Sequence, residues 1–136
     1  MQGKVFIDTN IILYLYSEDE NSKQEIALSL LDSNDEVIIS SQVINEISNV
    51  LFKKYKLSSM DVENAIQEIA SNIKVINYNF QTQINAIRLK GESGFQFYDA
   101  LIIATALEHG CSILFTEDMQ HNQIIENSLK IINPFM

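Results

Sequence analysis

Asp8 in "VFIDTN", Glu46 in "SQVINEISNV", Asp99 in "FYDALIIATAL" and Asp118 in "LFTEDMQ" are acids set where acids are costly. Asp8 closes an apolar run with strand character, and Asp118 stands just past another such run. Glu46 interrupts a helical stripe running from Val43 to Val50, and Asp99 precedes Ile102 and Ile103 by one helical turn. Taken singly, each has a plain explanation, such as an Asx-turn for Asp8 or the pull of a helix N-terminus for Asp99. Taken together they are harder to explain that way, because like charges packed into one place need a compensating cation. No basic residue is placed to serve: Lys4 lies at the opposite end of the first run from Asp8, and Lys53 and Lys54 lie well beyond Glu46. A divalent metal is the simplest compensator. An all-oxygen ligand set with no His/Cys cluster speaks against zinc and for Mg²⁺ or Mn²⁺. Such ions stabilise charge on a phosphoryl group and activate water for in-line attack, so the set points to metal-dependent phosphodiester hydrolysis.

Four acids scattered along the chain act together only if the fold gathers them. Short apolar runs at 4–7, 36–40, 73–77, 112–116 and 129–132 read as strands, continuous rather than alternating, as in a sheet covered on both faces. Between them the apolar spacing predicts helices. Residues 10–16 make one or two turns, and a helix runs from Asn21 or Ser22 to Asp32 with Ser22 and Glu25 as a capping box. Further helices are capped by Ser41 and Ser59, one spans 80–89 before "KGESG" breaks it, and one spans 97–109 with Gly110 at its end. Residues 122–127 read as one or two further helical turns. The alternation implies an α/β fold with a mainly parallel sheet of about four to five strands. Ligands of such sheets bind beyond the carboxyl ends of the strands, which places Asp8 and Asp118 on one edge.

The chain of 136 residues fits one domain spanning 1–136. Its net charge of −9 speaks against a general nucleic-acid coat with a basic face. "NIILYLY" is too short for a membrane span, so no membrane partner is expected. No secretory signal is visible, and the lone Cys111 excludes an internal disulfide; both fit a cytoplasmic protein.

The segments "VFIDTNIILYL", "INEISNVL", "FYDALIIATALEHGCSILFTEDMQ" and "LKIINPF", in this order, resemble the PIN-domain nucleases, and among them the VapC-like toxins of toxin–antitoxin pairs. The resemblance covers nearly the whole chain and implies a three-layer α/β/α fold. Its metal-binding acids fall on Asp8, Glu46, Asp99 and Asp118, and its supporting polar residues on Asn10 and Thr116. It implies an endoribonuclease using Mg²⁺ or Mn²⁺, an RNA substrate, a homodimer and a cognate antitoxin. Two departures stand out: His121 replaces the phenylalanine of the last motif, and Asn122 stands where glycine often follows. Glu117, beside Asp118, is a further candidate for direct participation, and His121 for a phosphate contact or proton transfer; ordinary rim positions account for both. The alternatives are an RNA-processing nuclease outside a toxin pair and a silent RNA- or partner-binding domain. A phospho-acceptor signalling domain would need a lysine near the strand-end acids, and "LFTED" has none.

Overall fold

The structure is a computed structural model and describes residues 3–136. Its sheet contains six strands: β1 (Lys4–Ile7), β2 (Glu36–Ser40), β3 (Lys74–Ile76), β4 (Ile113–Phe115), β5 (Ile124–Ile125) and β6 (Leu129–Ile132). They lie in the order β3-β2-β1-β4-β6-β5, parallel except for β5, which runs antiparallel to β6. Helices α1 (Thr9–Leu13), α2 (Asn21–Ser33), α3 (Ser41–Lys53), α4 (Ser59–Asn72), α5 (Phe80–Ser93) and α6 (Phe97–Glu108) complete the α/β/α layers, and a 3₁₀ turn at Tyr14–Tyr16 continues α1.

The central strands are buried because they are apolar on both faces. Val5, Phe6 and Ile7 have no solvent exposure, nor do Ile39, Leu114 and Ile131. Each such side chain contributes roughly 1.5–3 kcal/mol relative to an exposed one. Helix α6 is buried from Ala100 through Ala106, which explains why "ALIIATA" is apolar all round rather than striped. Its Thr105 hydroxyl is satisfied internally by donating to the Leu101 carbonyl at 2.8 Å. Cys111 is a packing residue; burial pushes its thiol up to about 12.

Four expectations need correction. Residues 122–127 are not helical: Glu126 and Asn127 both take positive φ, 52° and 58°, and turn β5 back onto β6. That tight turn supplies the sixth strand. The helix caps are Ser40 and Ser58, each one residue before the serine expected, because only those two combine extended backbone with a side chain facing the first turn. The capping box lies at Asn79 and Thr82, not at Ser22 and Glu25; α2 has no side-chain cap bond. Finally, α5 continues through "KGES", and Gly94, at φ +77°, ends it.

β1 is the pivot of the topology. The chain moves from it to β2 and β3 on one side, then returns to β4 on the other. The gap between the carboxyl ends of β1 and β4 is thus the switch point at which such sheets bind ligands.

Candidate active site

Asp8 ends β1 and caps α1, so its position is fixed twice. Its backbone N–H continues the β1–β4 ladder by donating to Phe115 O at 2.9 Å. Its Oδ1 accepts from the Thr9 N–H at 2.7 Å, and its Oδ2 accepts from the Thr116 hydroxyl at 2.8 Å. Asp8 is 6% exposed and Thr116 is fully buried. Burial pushes the Asp8 carboxyl up from 3.8 to about 6. The two hydrogen bonds pull it down, and the charges of Glu46 and Asp99 push it up again.

Thr116 also fixes the residues after β4. Its Oγ1 accepts from the Asp118 N–H at 3.2 Å and from Asn10 Nδ2 at 3.4 Å. Asn10 Nδ2 donates to Asp118 Oδ2 at 2.7 Å as well. One hydroxyl therefore holds Asp8, Asn10 and the start of the "EDMQ" loop in register.

Glu46 is held from two elements. Thr9 Oγ1 donates to its Oε1, and Gln42 Nε2, one turn earlier on α3, donates to its Oε2 at 3.2 Å. Gln42 Nε2 also reaches the Tyr98 carbonyl on α6 at 3.2 Å. Asp99 follows Tyr98. Burial raises its carboxyl above the usual range, helped by the charges of Asp118 and Glu46.

Asp8, Glu46, Asp99 and Asp118 line one cleft of about 260 Å³, together with Thr9, Asn10, Leu13, Gln42 and Ile102. Among the described residues, no Lys or Arg forms an ion pair with any of the four acids. Nor, among the described residues, do three or more Asp, Glu, His or Cys side chains converge closely enough to hold a metal ion as they stand. The donor set nevertheless fits a hard cation: it is all oxygen, and Asp8 and Asp99 are held above their ordinary values by burial and by each other's neighbours. A larger groove of about 630 Å³ adjoins the cleft and shares Asn10 and Leu13 with it. Its Glu18, Asp19 and Glu20 are exposed, so water already solvates their charges.

Glu117 and His121 do not line the acid cleft. Glu117 turns away from the cleft, accepting from the hydroxyl of Tyr14 in the 3₁₀ turn at 2.5 Å and from Lys23 on α2 at 3.3 Å. Lys23 in turn stands over the Tyr14 and Phe135 rings, 4.9 and 5.1 Å from their centroids. His121 Nδ1 accepts from the Asn133 N–H at 2.9 Å, so its ring secures the "NPF" segment. Thr9 and Gln42, by contrast, line the cleft, though neither stands out in the sequence as a candidate. Both are uncharged. The available signal was Gln42 standing four residues before Glu46, the spacing at which helical side chains meet.

Several solved structures share this fold. A toxin–antitoxin complex from Klebsiella pneumoniae is 24% identical, with a TM-score of 0.72 over 96% of this chain and 97% of that one. VapBC-1 from nontypeable Haemophilus influenzae is 18% identical, with a TM-score of 0.70 over 98% and 99%. VapC20 from Mycobacterium tuberculosis, described as a sarcin–ricin loop cleaving toxin, is 20% identical, with a TM-score of 0.68 over 84% and 91%. No curated protein matches the sequence significantly. The PIN domain family matches residues 5–126, which span the chain from β1 to the β5–β6 turn and include all four acids. This chain belongs to the PIN domain family.

Proposed function

We propose that the protein is a metal-dependent endoribonuclease and the toxin of a toxin–antitoxin pair. The carrying observation is the cleft itself: four acids at the sheet's switch point, two of them raised, with no basic partner among the described residues. Asp8, Glu46, Asp99 and Asp118 would hold Mg²⁺ or Mn²⁺. When bound, the ion supplies positive charge to the scissile phosphate and makes water a better nucleophile. The chain does the positioning. Thr116 and Thr9 orient Asp8, Thr9 and Gln42 orient Glu46, and Asn10 orients Asp118. No serine or cysteine lines the cleft and the Thr9 hydroxyl is engaged with Glu46; on this reading water attacks phosphorus and the 3′ oxygen departs. The products are a 5′-phosphate and a 3′-hydroxyl.

The toxin role is supported by structures with the same fold, among them a toxin–antitoxin complex and a sarcin–ricin loop cleaving toxin. We extend it to a homodimer, to an antitoxin partner and to action in the cytoplasm. Exposed Leu28, Phe52 and Met60 offer apolar surface for such contacts. Among the described residues no helix is long and apolar enough to cross a membrane.

Incubating total cellular RNA with the protein and Mn²⁺ should give discrete cuts ending in 3′-hydroxyls, abolished by chelator. A 2′,3′-cyclic phosphate would overturn the mechanism. Independently, millimolar Mn²⁺ should raise Tm by several degrees at pH 7, because the ion binds only the folded state and relieves the raised carboxyls. Equal melting with Mn²⁺ and with chelator would count against a metal site.

A further inference from the structure

We propose that Gln42 is a positioning residue of the acid site, a role that rests on the metal-dependent reading above. It links Glu46 on α3 to the first turn of α6, where Asp99 begins the acid-lined face. Two acids on separate helices are thereby held at a set spacing by one neutral amide.

The orientation of that amide is fixed by chemistry. Its nitrogen carries two protons and meets two acceptors, Glu46 Oε2 and the Tyr98 carbonyl, each at 3.2 Å. Turning it over would set an oxygen against both, with no proton between. Gln42 is 5% exposed, and its Oε1 is buried without a hydrogen-bond partner. A buried acceptor left unpaired is destabilising. A residue selected for packing alone would be an apolar side chain here, as Val43 and Ile47 are beside it.

The link also adds a polar contact at the start of α6, a helix otherwise seated by its buried residues Ala100–Ala106. Gln96, at its N-terminal cap, makes no side-chain bond to the first turn. The Gln42 amide supplies a polar tether at that turn from outside the helix. Without it, Glu46 keeps only the Thr9 bond, and the spacing between Glu46 and Asp99 is no longer set by a hydrogen bond.

The test compares wild type with Gln42→Leu, nearly isosteric, and Gln42→Glu, which keeps the shape but loses the donor. Gln42→Leu should change Tm in chelator little, because the unpaired oxygen is gone while Glu46 and the Tyr98 carbonyl lose a donor. Its Mn²⁺ affinity by calorimetry should fall about ten-fold or more, and kcat on RNA should fall similarly while KM changes little, the range expected for groups that orient metal ligands. Gln42→Glu should lose at least as much affinity. A purely structural role predicts the reverse for Gln42→Leu: lower Tm with Mn²⁺ affinity and kcat unchanged, which would overturn the proposal. If wild type binds no Mn²⁺ and cuts no RNA, the nuclease reading fails and the role of Gln42 falls with it. If wild type does both and the variants match it, the Gln42 assignment alone is wrong.

Discussion

Asp8→Asn is expected to lower RNA cleavage by roughly a thousand-fold or more, since even the outer partners of a metal ligand are worth about ten- to a hundred-fold. Its stability should move the other way. The Asp8 carboxyl rises from 3.8 to about 6 on folding. Folding therefore favours its protonated form. The stability this contributes is fully present below pH 3.8 and is lost as pH rises through about 6. A rise of that size corresponds to about 3 kcal/mol by pH 7. Asparagine does not titrate, so the variant lacks this loss. Part of the gain is offset, because the new amide meets Thr116 Oγ1, which already accepts from Asp118 N–H and Asn10. Urea unfolding in chelator should show the variant gaining on wild type between pH 4 and pH 7. Added Mn²⁺ should narrow the gap by stabilising wild type alone. Undiminished cleavage by Asp8→Asn would remove Asp8 from the site; a pH-independent stability difference would remove the burial argument.

Thr116→Val should destabilise the protein by about 2–4 kcal/mol at pH 7 and cut activity as well. Valine has the volume of threonine, so packing is conserved and the loss is polar. The buried Asp8 carboxylate loses a donor, and the Asp118 N–H loses its acceptor. The hydroxyl pulls the Asp8 carboxyl down, so without it the carboxyl climbs further and the penalty grows with pH. At pH 4, where Asp8 is protonated in the fold, the destabilisation should shrink. Thr116→Ser, which keeps the hydroxyl, should recover most of both losses. A Val variant as stable as wild type at pH 7 would show that the hydroxyl is not the hub the geometry makes it.

The parallel core was legible because its strands are buried on both faces and therefore spell unbroken apolar runs. The cap positions were less so. "SS" occurs at both 40–41 and 58–59, and only backbone angles distinguish the serine that caps from the one that begins the helix. The β5–β6 turn hid because Glu126 and Asn127 adopt positive φ without glycine to announce it. "KGESG" read as a break from its first residue, yet a helix tolerates one glycine such as Gly91 at a cost of about 1 kcal/mol, and the stop is the second glycine, Gly94. In the cleft, the charged residues were visible as acids on apolar faces. Thr9 and Gln42 were not, since a neutral residue on a buried face looks like ordinary packing until its partners are in place.

The pairing of β1 with β4 has a consequence for how the protein is made. Asp8 and Thr116, which share a hydrogen bond, are 108 positions apart in the chain, as are Asn10 and Asp118. On a ribosome the Asp8 side of the cleft is synthesised more than a hundred residues before the Thr116 side. Until β4 emerges, β1 lacks its neighbour on that side, Asp8 lacks its hydroxyl donor, and the acids are not yet in one place. Long-range parallel pairing of this kind is also slow to form. The cleft is thus completed only when β4 pairs with β1, whatever order the rest of the fold forms in.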